Sequence, residues 1–139
     1  MSDSFPAIRQ TVLDCHDPRE LGDFYRDLLG YRYRPGDETP PDEGWLVLRA
    51  PTGDHGLAFQ ANPEYVRPVW TPEADRPGDQ QMMLHLDMAV TDAASLEVQR
   101  QRVLDLGGSV LYDRSADPEE ALYVFADPAG HPFCIFVAA

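Results

Sequence analysis

Residues 7–34 read AIRQTVLDCHDPRELGDFYRDLLGYRYR, and their order decides the fold. AIRQTVLD (7–14) has the apolar, β-branched character of a short strand. Asp17-Pro18-Arg19-Glu20 then marks a helix start: Asp17 can cap, Pro18 fits the first helical position and Glu20 can close a capping box. Leu21, Phe24, Tyr25, Leu28 and Leu29 recur at helical spacing and make one apolar face. Gly30 suits the left-handed residue that ends a helix, and Tyr31 to Arg34 can return as a strand. A strand, a helix and a returning strand predict a sheet with one face covered by that helix.

Further along, WLVLRAP (45–51) and LAFQA (57–61) read as strands flanking the turn PTGDHG, after a Pro- and Gly-rich acidic loop at 35–44. The sequence from about 63 to 81 has no clean period and reads as a linker. MMLHLDMAV (82–90) alternates: Leu84, Leu86, Met88 and Val90 on one side, Met83, His85, Asp87 and Ala89 on the other. Thr91 or Asp92 can cap a helix over about 93–106, which Gly107-Gly108 stops. SVLYD (109–113), ALYVFA (121–126) and PFCIFVA (132–138) read as strands, with Asp127-Pro128-Ala129-Gly130 as a turn. The order β-α-β-β-β therefore occurs twice, as modules at about 5–62 and 82–139 within one α+β domain spanning 1–139. Offsets of about 75 residues relate Gln10 to His85 and Gln60 to Cys134.

Composition narrows the function. The net charge of −13 repels phosphate backbones and argues against nucleic-acid partners. The longest apolar run is the seven residues Phe133 to Ala139, too short to cross a membrane, and the first residues lack a signal-peptide pattern. Two cysteines in apolar runs suit a reducing cytoplasm. With 43% hydrophobic residues the chain can bury a core.

The face covered by each helix must be apolar, so strand parity points His85, Asp87, Gln60 and Cys134 away from the helices, with Gln10 joining them by analogy. On one strand face His85 and Asp87 lie about 7 Å apart. The carboxylate can orient the imidazole for acid–base work, or the two can form a polar pair that holds the linker. Gln10 and Gln60 can hydrogen-bond a ligand in an apolar pocket. Cys134 is either a pocket residue or ordinary core filling. Trp45 and Trp70 can stack on a flat ligand; core packing is the alternative for Trp45, and covering a cleft or a partner subunit suits Trp70. His16, His55 and His131 lie at turns and are expected to be solvated.

In DPRELGDFYRDLLGY (17–31), LAFQ (57–60), the Trp70 linker, QQMMLHLDMAV (80–90) and DPAGHPF (127–133), in that order, the chain resembles the vicinal oxygen chelate superfamily, particularly its glyoxalase-like subgroup. That superfamily includes glyoxalases, dioxygenases and bleomycin-resistance proteins. The resemblance implies two paired βαβββ modules, a small-molecule cleft and a homodimer. Metal-dependent relatives take one ligand from the first and last strand of each module, which here gives Gln10, Gln60, His85 and Cys134. Gln60 and Cys134 stand where carboxylates normally supply charge and base. The set is therefore poor for a hard divalent cation, although Cys with His favours zinc. No cofactor is expected, with a divalent metal as the alternative. Two functions follow: a lyase-, isomerase- or dioxygenase-type enzyme using His85 and Asp87, or a non-catalytic protein that binds or sequesters a drug or metabolite through Gln10, Gln60, Trp45, Trp70 and Cys134.

Overall fold

The computed structural model describes residues 6–41, 44–53, 55–70, 80, 81 and 83–138. The chain divides into two compact units, Met1–Pro63 and Glu64–Ala139. In the first, β1 (Gln10–Cys15), α1 (Pro18–Leu29), β2 (Arg32–Tyr33), β3 (Trp45–Arg49) and β4 (Gly56–Ala61) form a sheet of order β1-β4-β3-β2. In the second, β7 (Leu86–Val90), α2 (Ala93–Asp105), β8 (Ser109–Arg114), β9 (Leu122–Ala126) and β10 (Pro132–Val137) repeat it as β7-β10-β9-β8. β1 pairs with β4 and β7 with β10 in parallel, and the other pairs within these two four-stranded sheets are antiparallel. This α+β architecture is the twice-repeated order read from the sequence. Among the described residues, no helix is long and apolar enough to cross a membrane.

Local chemistry sets the helix ends. Asp17 accepts from the backbone N–H groups of Arg19 and Glu20, and Gly30 takes the left-handed conformation, φ 71°, that ends α1. α1 buries Leu21, Phe24, Tyr25 and Leu28, and the Tyr25 ring stacks on Phe59 of β4 at 6.0 Å. Asp92 caps α2 through Ser95 N–H at 2.7 Å. α2 fully buries only Leu96 and Val103, since Gln99 and Arg100 interrupt its stripe. Arg100 places its guanidinium over the Tyr123 ring, 5.9 Å from the centroid.

Gly22 leaves room for Tyr33, whose Oη donates to Asp23 at 2.8 Å. A Cβ at position 22 would run into that hydroxyl and approach the ring carbon Cζ to 3.2 Å, while Arg19 covers the ring at 4.7 Å. Gly22→Ala is therefore expected to destabilise by about 1–3 kcal/mol, outweighing the gain of about 1 kcal/mol in helix propensity. Thermal unfolding checks this, and Tyr33→Phe in the same chain should recover part of the loss by removing the clashing oxygen.

Two readings are corrected. The segment read as a linker contains β5 (Pro68–Val69) and β6 (Gln80–Gln81), a short parallel pair that no hydrophobic period could announce. The strand read from residue 82 begins at Leu86: Met83, Leu84 and His85 precede it and are exposed, Met83 at 95% and Leu84 at 55%. Their alternation continues that of the strand, but β10 pairs only from Phe133 opposite Leu86 onward.

Candidate functional site

The second sheet has two chemically different faces. Phe125, Phe133 and Ile135 are buried on the α2 side, where Tyr123 Oη donates to Glu97 of α2 at 2.6 Å. The alternate residues Leu122, Val124, Cys134 and Phe136 line a cavity of about 620 Å³ together with Trp70, His85, Asp87, Leu111, Tyr112, Arg114 and Glu120. Consecutive residues Leu111 and Tyr112 both reach it because a register shift in β8 falls between Val110 and Tyr112.

At one pole His85 Nε2 lies 3.1 Å from Asp87 Oδ1. One ligand atom each from His85, Asp87 and Cys134 falls within 4.8 Å of the others. Register explains the meeting: Asp87 is directly opposite Cys134 on neighbouring strands, and His85 precedes it by two residues on the same side. Trp70, which follows β5, sets its ring edge-on to His85 with centroids 5.4 Å apart. Burial pushes the Cys134 thiol up from its ordinary value of 9.0 to about 11, helped by the Asp87 charge, a hydrogen bond to Asp87 and the Glu120 charge. At neutral pH Cys134 is therefore a thiol, not a thiolate nucleophile. Arg114 is held by Asp117 at 2.9 Å, and this hydrogen bond, with backbone N–H groups of Glu119 and Glu120, lowers the Asp117 carboxyl to about 2.

The donor set fits a zinc-class ion. Nitrogen, oxygen and sulfur ligands close enough to share one cation leave a fourth position open, the pattern of three-ligand zinc sites. Binding would have to displace the Cys134 proton, so occupancy would rise with pH.

In the first unit, Trp45 stands opposite Gln60 on β3 and β4, half-buried beside an exposed Gln60. Trp45 borders a separate hollow with Arg34, Asp37 and Pro40. Gln10 pairs with Gly56, four residues from Gln60 on the same strand, so about 13 Å of strand separates Gln10 from Gln60. Gln10 does match His85: each lies seven residues before the Asp that caps the following helix, Asp17 or Asp92, and Asn62 N–H donates to the Cys15 carbonyl as Ala138 N–H donates to that of Val90. With Val12 opposite Ala58 and Asp87 opposite Cys134, the residue that matches Cys134 is Ala58. The offset that pointed to Gln60 is two too few, and an even slip preserves the face while moving the position. Cys15 is core, 1% exposed, with its thiol directed at the Gln60 carbonyl at 3.7 Å. Two histidines read as solvated have partners: His55 Nε2 lies 2.6 Å from Thr11 Oγ1, and His131 Nε2 lies 3.2 Å from Tyr65 Oη.

Glu120, Arg114, Leu111 and Tyr112 are lining residues that the sequence reading missed. The alternation of ALYVFA contained the signal for Leu122 and Val124, whereas Glu120 lies just before the strand, outside any period.

Two four-stranded sheets, each with one parallel pair and one helix, are the fold shared with solved glyoxalase/bleomycin resistance/dioxygenase proteins. The family described as glyoxalase-like domain matches residues 10–136, and the chain belongs to that family. A glyoxalase/bleomycin resistance protein/dioxygenase family enzyme from Burkholderia phytofirmans superposes with a TM-score of 0.69 at 15% identity, covering 94% of this chain and 97% of its own. A glyoxalase/dioxygenase from Nostoc punctiforme gives 0.65 at 16% identity, covering 100% and 99%. The fosfomycin resistance protein FosX from Mesorhizobium loti gives 0.64 at 14% identity, covering 100% and 95%. At such identities the likeness is one of fold. No curated protein matches the chain in sequence.

Proposed function

We propose that the second unit's cavity binds a small organic molecule with an apolar body and a positively charged end. The observation that carries this is the division of the lining: Leu111, Leu122, Val124, Phe136 and Trp70 supply apolar wall, while the Asp87 and Glu120 carboxylates stand at the pole where Cys134 is held protonated. Both carboxylates push the thiol upward, which is the signature of a negative local potential, and such a potential favours a cation. Arg114 adds little opposing charge because Asp117 neutralises it. Trp70 offers an aromatic face for an organic cation, and the net charge of −13 draws cations toward the protein. Gln10, Gln60 and Trp45 are assigned by this reading to the first unit's own surface rather than to this cavity.

Benzylamine and benzyl alcohol, nearly equal in shape, test the charge preference through Trp70 fluorescence in a Trp45→Phe background. Benzylamine should bind at least about tenfold more tightly, and Asp87→Asn or Glu120→Gln should remove most of that difference. Equal binding of the two probes would overturn the reading.

A catalytic reading rests on the His85–Asp87–Cys134 trio, in which His85, oriented by Asp87, serves as the acid–base group of a lyase- or isomerase-type reaction. A zinc-class ion held by the same three residues would supply Lewis acidity. Elemental analysis after purification without chelator separates the cases: one equivalent of metal, lost in His85→Ala, favours chemistry, and a metal-free protein that binds benzylamine favours simple binding.

A further inference from the structure

All 11 basic residues are arginines, set against 24 acidic ones. Most of the described arginines are engaged. Arg26, Arg34 and Arg114 bind carboxylates, Arg67 binds the Pro128 carbonyl, Arg102 binds Gln99, and Arg19 and Arg100 cover tyrosine rings. Arg9, Arg32 and Arg49 make no ion pair among the described residues, and they gather at one end of the first sheet. Arg32 and Arg49 stand directly opposite each other on β2 and β3, a like-charge pair that opposes folding. Arg9 and Arg49 line one cavity of about 520 Å³ with Gln10, His55 and Gly56. Gly56 lies between Gln10, its partner on β1, and the backbone of Arg49, and a side chain there would strike the Leu48 carbonyl. The missing side chain lets β4 approach the β3 backbone closely where Gln10 and Arg49 flank it. Thr11 holds His55 at this cavity through a 2.6 Å hydrogen bond.

We propose that this cavity in the first unit is an oxyanion site, in which Arg49 and Arg9 bind a phosphate or carboxylate group with Gln10 and His55 as further hydrogen-bond partners and Arg32 as a second cation. An oxyanion bound by a guanidinium fork gains paired charge-assisted hydrogen bonds, and here it also relieves the Arg32–Arg49 repulsion. The proposal is independent of the cation cavity in the second unit and uses none of its residues.

The test is an NMR titration of the full chain with inorganic phosphate and, separately, acetate, at constant ionic strength. Saturating shifts are expected at the Gly56 amide and the Arg49 Nε–H, and Arg49→Gln should weaken binding at least about tenfold. Without added anion, Arg49→Gln should unfold at a temperature no lower than the parent, because it removes a like charge. With the saturating anion only the parent should gain thermal stability. Arg26→Gln, whose arginine is already paired, should bind like the parent. Saturation by either anion supports the site, and the tighter one identifies the ligand's acidic group. No saturation by either anion, or equal affinity in the parent and Arg49→Gln, would overturn it.

Discussion

Phe133→Ala is expected to lower folding stability by about 3–5 kcal/mol, enough to unfold much of a marginally stable chain. Phe133 is 0% exposed, and its ring packs on Phe125 at 5.4 Å beneath α2. Truncation removes a large buried apolar surface and leaves a void that the paired strands on either side hold open. Its neighbour along the chain by three residues, Phe136, lines the ligand cavity on the opposite face and is only half-buried. Phe136→Ala should therefore cost clearly less stability while weakening benzylamine binding. Urea denaturation of both variants is decisive. Equal losses would mean that the two faces of β10 are not divided between core and cavity.

Asp87→Asn should change the chemistry of Cys134 more than any other single replacement in the cavity. After burial, the two largest causes of the raised thiol are the charge of Asp87 and its hydrogen bond, so neutralising Asp87 leaves burial and Glu120 to act. The thiol should titrate below about 11, and the first unit of decrease multiplies the thiolate fraction at pH 9 by about nine. Iodoacetamide alkylation of Cys134, with Cys15 replaced by Ala, reads this as a faster reaction at that pH. The linkage has a definite sign. A thiol whose folded value is raised binds its proton more tightly in the native state, so its stabilisation is complete below pH 9 and lost as pH rises toward 11. The parent should lose stability across that window, and Asp87→Asn should show a shallower decline. An unchanged alkylation rate would break the link between Asp87 and Cys134.

Much of this was legible without coordinates because it is local. Asp17, Pro18 and Gly30 state where α1 begins and ends through hydrogen-bond capping and backbone freedom, and the structure has these caps. The alternation in PFCIFVA separates Phe133 and Ile135 from Cys134 and Phe136, and the structure buries the first pair under α2 and lines the cavity with the second. The doubled β-α-β-β-β order was likewise legible, since each element carries its own period and boundaries.

What tertiary structure decided depends on pairing between distant segments, where no local period speaks. Strand register matches Cys134 to Ala58 instead of Gln60, because sliding a strand by two residues leaves every side chain on its original face and the hydrophobic pattern intact. A register shift in β8 turned both Leu111 and Tyr112 into the cavity, and a loop residue, Glu120, brought a carboxylate that no alternation predicts. The meeting of three arginines without an ion pair among the described residues arose the same way, at one end of the first sheet, from positions 9, 32 and 49 joined by strand pairing. Sequence by itself determined which residues turn toward a core and which turn away. Only folding determined which of the outward-turned residues meet, because that choice is made by backbone hydrogen bonds between strands far apart in the chain.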